Sequence, residues 1–343
     1  MKIQKKVNKS SFFKKFFIEI CRVLGYEIID QANFHLPVTN QDINDDLSKI
    51  GERSLTMPMG KVEITRPVKS LTIILRTCSS VNMLTQSKKR LFDMKKSEYT
   101  LRSLNSIINS INFAKKLFEN INIKLIIVDH NSENHVIDKM KSMISNQFFN
   151  SKFLKLNVDD FKGSINSINE KNEKVSDNQI SNMANIHQSL ILAKECEDLV
   201  YLVEDDYIHS IEAINEMVLA YEKLSSLLKR ELILCPSDYP YLYSKIEDSK
   251  ILLGNKKHWR SIKETLCTFL ISKEMLVKHW DKLTSTCKFE HYPFEKPFHE
   301  IYKKEYCLSP IPSLAIHLTN INSVFGLSPN TDWKKVWDEC KLI

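Results

Sequence analysis

Leu199-Val200-Tyr201-Leu202-Val203-Glu204-Asp205-Asp206-Tyr207 is the stretch on which the reading of this chain turns. Five apolar residues, rich in β-branched and aromatic types, predict a buried strand. Three carboxylates follow where that strand leaves the core. Adjacent carboxylates repel and raise one another's pKa, so the cluster is either a solvated acidic turn or a grip on a hard divalent cation. In an open α/β sheet the carboxyl ends of strands are where ligands bind, which favours the grip.

Around this strand the pattern alternates strand and helix, implying an α/β domain with a mainly parallel sheet flanked by helices. Leu71–Leu75 predicts a first strand ending in Arg76-Thr77-Cys78, and Tyr99–Phe118 a helix with Leu101, Leu104, Ile107, Ile108 and Ile111 on one face. Lys124–Val128 predicts a second strand ending in Asp129-His130-Asn131-Ser132, and 150–158 a third. A polar, exposed loop is expected over 161–178. Helices are expected at Asn178–Glu195 and Ile211–Leu228, and further strands at Leu232–Cys235, Leu266–Ile271 and within Cys307–His317.

The flanks differ from this body. Residues 1–66 read as an N-terminal extension, 67–320 as the catalytic domain and 321–343 as a tail with a short helix. In the extension Phe13, Phe16, Phe17, Ile20 and Leu24 recur at helical spacing among lysines. Such a helix, over residues 10–24, either lies on an anionic membrane surface or packs its apolar face on the domain. From about 36 to 66 the periodicity fades.

Composition excludes several classes. The net charge of +7 is mild and concentrated near the N-terminus, and no duplex- or RNA-binding signature occurs, so nucleic acid is not expected as a partner. Only six glycines occur in 343 residues, no two within five positions. Dinucleotide and P-loop fingerprints need closely spaced glycines and are absent. Eight cysteines form no C-x-x-C pair, which leaves zinc and dithiol readings without support and suits a reducing cytoplasm. No apolar run approaches a membrane span, and no cleavable leader is expected.

Three strand ends therefore carry chemistry: Arg76-Thr77, Asp129 and Glu204-Asp205-Asp206. On one sheet edge they suit a nucleoside diphosphate, with an aspartate for base or ribose, a hydroxyl at the first turn and carboxylates holding a metal on the pyrophosphate. Asp238 in Pro236–Tyr241 offers a carboxylate beside aromatics for a sugar. Trp259 and Arg260, in an expected loop, would clamp donor or acceptor; ordinary packing of Trp259 and a surface arginine is the competing reading.

With these features the chain resembles the GT-A glycosyltransferases, particularly the family-two-like nucleotide-sugar transferases, over roughly residues 70–320. The likeness lies in the first strand, Leu101-Arg102-Ser103-Leu104, Ile126–Ser132, Ser181-Asn182-Met183-Ala184-Asn185 and the DXD-like Glu204-Asp205-Asp206. The first acid here is Glu where Asp is commoner. The resemblance implies that Asp129 contacts the nucleobase, that Glu204 or Asp205 faces the ribose, and that Asp206 binds Mn²⁺ or Mg²⁺. It implies a late histidine, His317, completing the metal shell. It also implies a base for the acceptor hydroxyl, with Glu295 favoured by spacing and Glu300 second; either is equally a charge at a helix N-terminus.

The expectation is a cytoplasmic, metal-dependent glycosyltransferase acting on a glycan or lipid-linked acceptor, with inversion preferred to retention. The alternatives are a nucleotidyltransferase and a non-catalytic nucleotide- or glycan-binding protein.

Overall fold

The computed structural model describes residues 12–26, 63–80, 91–244, 248–319 and 323–342. The chain divides into two units, Met1–Val62 and Glu63–Ile343. In the first, the described part is a helix, α1 (Phe12–Val23). The rest of the irregular 36–66 stretch lies outside the described residues up to position 62.

The second unit is built on apolar strands flanked by helices. Its elements are β1 (Ser70–Thr77), α2 (Lys96–Lys115), β2 (Asn122–Asp129), α3 (Asn134–Ser145), β3 (Asn150–Lys155), α4 (Asp177–Lys194), β4 (Leu199–Glu204) and β5 (Tyr207–His209). There follow α5 (Ala213–Leu228), β6 (Ile233–Leu234), β7 (Ile251–Leu253), β8 (His258–Ile262), β9 (Phe269–Ser272), α6 (Lys273–Lys278), α7 (Trp280–Lys288), α8 (Lys296–Tyr302), β10 (Cys307–Ile311), β11 (Ala315–His317) and α9 (Trp333–Glu339).

The main sheet runs β3-β2-β1-β4-β9-β6-β10-β8-β7, and β11 pairs with β5 in a second, two-stranded sheet. β3, β2, β1 and β4 are mutually parallel, as are β6 and β10, while β9 and β8 run against their neighbours. The fold is thus α/β, as the alternating pattern predicts.

Why β1 and β2 read as unbroken apolar runs is now plain, because both faces of each are covered. Successive side chains of a strand point to opposite faces. Ile73, Leu75, Leu125 and Ile127 enter one core with Leu104 and Ile108 of α2, Met140 of α3 and Met217 of α5. Ile74, Ile126 and Val128 enter the other with Met183 and Leu190 of α4, Leu283 of α7 and Phe298 of α8.

Three expectations need correction. Residues 258–260 form the start of strand β8, paired with β10, instead of a loop. The 161–178 segment is only partly exposed: Phe161, Ile165 and Val175 peg it into the core. The late apolar segment is two strands, since the chain leaves the main sheet after Ile311 and β11 crosses to β5.

Both ends of the 67–320 body are tied in. Arg66 binds Asp198 at 2.5 Å and Glu231 at 2.7 Å. The tail helix α9 belongs to the same unit: Trp337 stacks on Phe92 at 4.1 Å and lies under the Arg102 guanidinium at 4.1 Å.

Candidate active site

The register of the sheet places the polar strand ends level. Thr77 is opposite Asp129, and Arg76 is opposite Glu204. Above this edge opens a cavity of about 470 Å³. Its walls come from the ends of β1 and β4, one face of α4, residues 290–295 and His317.

The three adjacent carboxylates meet three different fates. Glu204 makes an ion pair with Arg76 at 3.0 Å, and Thr268 Oγ1 donates to its Oε2 at 3.3 Å. Burial pushes its pKa above the ordinary value, with Arg76 opposing and Asp206 reinforcing. Asp205 is saturated from behind: Lys96 Nζ lies 2.6 Å away, Thr100 Oγ1 donates at 2.7 Å and the Cys78 N–H at 3.1 Å. Burial lowers the Lys96 pKa, but Asp205 and Asp206 together hold it above normal. These contacts make Asp205 an anchor for the turn at the wall of the cavity.

Asp206 is the carboxylate that faces His317, with Nε2 3.3 Å from Oδ2. Its other oxygen, Oδ1, is buried without a hydrogen-bond partner among the described residues. Burial pushes its pKa up, but the His317 imidazole overrides this and holds it well below the usual carboxylate range. Burial correspondingly lowers, and Asp206 more than restores, the pKa of His317, which ends above its ordinary value.

Backbone pairing brings these two residues together across 111 positions of sequence. His317 is opposite Tyr207 in the β5–β11 ladder, the Leu318 N–H donates to the Asp206 carbonyl at 2.8 Å, and the rings of Tyr207 and His317 stack at 4.6 Å. His317 Nδ1 lies 2.7 Å from the Phe325 carbonyl. A carbonyl only accepts, so Nδ1 carries the proton and Nε2 is the atom turned to Asp206. This orientation by an outer partner is the usual support of a metal-ligating histidine.

The orphaned Asp206 Oδ1 and the oriented Nε2 fit a small divalent cation. Among the described residues no group of three His, Cys, Asp or Glu gathers. Asp206 and His317 are the two side chains that would hold such an ion.

Glu295 occupies the N-cap position of α8 without a capping hydrogen bond from its side chain. It lines the cavity instead. Burial, reinforced by the negative charge of Glu204 and opposed by His317 and Arg76, raises its pKa to about 7. Glu300 does not line the cavity and is ion-paired with Lys282.

Other expected residues lie elsewhere. Asp129 is fully buried beneath the cavity, accepting from Thr77 Oγ1 at 2.7 Å and the Ser132 N–H at 3.3 Å; it braces β2 against β1, and its neighbour His130 lines the cavity. Trp259 is a core residue, completely buried, with Nε1 donating to Glu216 at 3.3 Å. Arg260 and Asp238 form a buried ion pair with each other, and neither lines the cavity. Neither the expected Asp238 contact to a sugar nor the expected Trp259–Arg260 clamp lies at this cavity.

Sequence reasoning does not single out Lys96, and it quotes His130 and Ser181–Asn185 without giving them a role at the site. Asn178, Ser181, Asn182 and Asn185 recur at helical spacing, with Asn182 Oδ1 accepting from Arg76 at 3.2 Å and Ser181 bonded to His130. A polar stripe on an otherwise buried helix is the signal that could have found them.

No protein-family model matches the chain, and no curated protein matches it. Solved structures that are similar include S. aureus TarS, at 12% identity and TM-score 0.33, over 61% of this chain and 29% of that one. TarS 1–349 in complex with UDP is 14% identical, with TM-score 0.35, over 70% of this chain and 60% of that one. A galactosyltransferase, LgtC, in complex with donor and acceptor sugar analogues is 10% identical, with TM-score 0.34, over 79% of this chain and 97% of that one. The inositol-1-phosphate CTP transferase from T. maritima is 8% identical, with TM-score 0.38, over 80% and 97%.

Proposed function

We propose that the chain is a metal-dependent glycosyltransferase that moves a sugar from a nucleotide-sugar donor to an acceptor hydroxyl with inversion. One observation carries this reading. A single cavity holds the Asp206–His317 pair, suited to a divalent cation, together with Glu295, a carboxylate whose pKa of about 7 suits a general base. A glycan or lipid-linked sugar is the acceptor class we favour.

Mn²⁺ or Mg²⁺, when bound, supplies charge stabilisation to the departing diphosphate. The rest falls to the chain's own residues. Glu295 takes the proton from the acceptor hydroxyl at its carboxylate, and its raised pKa keeps the transfer nearly balanced near neutral pH. Arg76, fixed by Glu204 and Asn182, adds positive charge at the end of β1. Asn178, Gln179 and Asn182 of α4 offer amide donors and acceptors to the nucleoside.

The test is a thermal-shift screen of UDP, GDP and CDP with Mn²⁺ or with EDTA, on the wild type and Asp206→Ala. One diphosphate should raise the wild-type Tm only with Mn²⁺; ligand at about 100 times its Kd adds about 2.7 kcal/mol. Asp206→Ala should lose that shift while keeping its own cooperative melt. If no diphosphate shifts the wild type, the reading fails. Pyrophosphate release from a nucleoside triphosphate would mark a nucleotidyltransferase instead.

A further inference from the structure

We propose that α1 docks on an anionic lipid bilayer, lying in the plane of the headgroups. The inference rests on α1 and its flanking sequence alone, and stands or falls separately from the reading of the cavity.

Each residue of an α-helix turns about 100°. On that wheel Phe12, Phe13, Phe16, Phe17, Ile20, Val23 and Leu24 fall within one arc of about 140°. Positions 14, 15, 19 and 22, occupied by Lys, Lys, Glu and Arg, fall on the remaining side. The seven apolar residues of the arc are between 42% and 83% exposed. Four of them are phenylalanines, whose rings suit the boundary between headgroups and acyl chains.

Charge selects the occupant. The first 22 residues hold Lys2, Lys5, Lys6, Lys9, Lys14, Lys15 and Arg22 against a single acid, Glu19. In sequence, seven basic residues and one acid surround the aromatic run, the combination that draws a segment to anionic lipid. Length sets the mode. Twelve residues span about 18 Å, short of the roughly 30 Å hydrocarbon core, and among the described residues no helix is long and apolar enough to cross a membrane. The helix therefore lies on the surface.

The experiment is co-sedimentation of the full chain with vesicles of phosphatidylcholine alone or mixed with phosphatidylglycerol. We expect binding to the mixed vesicles at least about tenfold stronger than to phosphatidylcholine, weakened between about 0.1 M and 1 M salt as the Debye length falls from about 10 to 3 Å. Phe13→Asp with Phe17→Asp should cut binding by at least about tenfold, with an unchanged main thermal transition. Should that variant fail to fold, the comparison of lipids and salts on the wild type still decides. Equal recovery with both vesicle types, or none with either, overturns the proposal.

Discussion

Replacing Glu295 by Gln removes one titrating group from the cavity while keeping its shape, and two independent readouts follow. The shift from 4.5 to about 7 corresponds to roughly 3 kcal/mol against ionisation in the folded state. Below about pH 4.5 the group is protonated whether the chain is folded or not, so it has no effect on stability there. Between about 4.5 and 7 the unfolded chain releases this proton first, so rising pH favours unfolding of the wild type. Glu295→Gln escapes that loss. Its stability advantage over wild type, read as a Tm gap, should therefore grow from about pH 5 to pH 7 and then level off, at up to the same roughly 3 kcal/mol in unfolding free energy. In turnover, a base must be ionised, so wild-type kcat/KM should rise about tenfold per pH unit below about 7 and flatten above it. Glu295→Gln should lose about 10²- to 10⁴-fold in kcat with that acidic limb abolished, while the Mn²⁺-dependent diphosphate shift persists. The assay is nucleoside-diphosphate release from the sugar nucleotide selected by thermal shift, run beside melts in the same buffers. A Tm gap that ignores pH, or a variant that keeps the acidic limb, would refute the assignment.

Two further outcomes separate scaffold from chemistry. Asp205→Asn leaves the largely buried Lys96 ammonium without its carboxylate, so urea unfolding should show a loss of about 3 kcal/mol or more; a loss under about 1 kcal/mol would mean that the pair does not anchor the turn. Gly254→Ala puts a Cβ 2.4 Å from Trp259 Nε1 and 2.9 Å from Glu216 Oε1, and such overpacking should cost about 1–3 kcal/mol in the same assay. An unchanged midpoint would show that the Trp259 ring gives way.

How much of this was legible in the sequence depends on the distance over which each feature is decided. The strands β1, β2 and β4 are written locally, as apolar runs covered on both faces, and their polar ends follow from the chain leaving the core. The division of labour among Glu204, Asp205 and Asp206 is not local. It is set by Lys96 and Thr100, more than a hundred residues earlier, and by His317, as far again in the other direction. Trp259 misleads because Gly254-Asn255-Lys256-Lys257 reads as a loop and a lone Trp-Arg beside it as a surface clamp; the Glu216 carboxylate that collects the N–H groups of that turn lies on α5. β5 is only three residues long, too short for alternation to show. By contrast α3 carries Val136, Ile137, Met140 and Ile144 at helical spacing, hidden mainly by the polar residues around it.

The short β5–β11 ribbon gives the cavity a division useful to an engineer. Main-chain hydrogen bonds, indifferent to side-chain identity, set the spacing between Asp206 and His317. Tailoring can then be confined to Asn178, Gln179 and residues 290–292, leaving that spacing untouched. Under the proposed function, a library varied there would sample new substrates against a fixed Asp206–His317 pair, and successive rounds could shift preference without disturbing that pair.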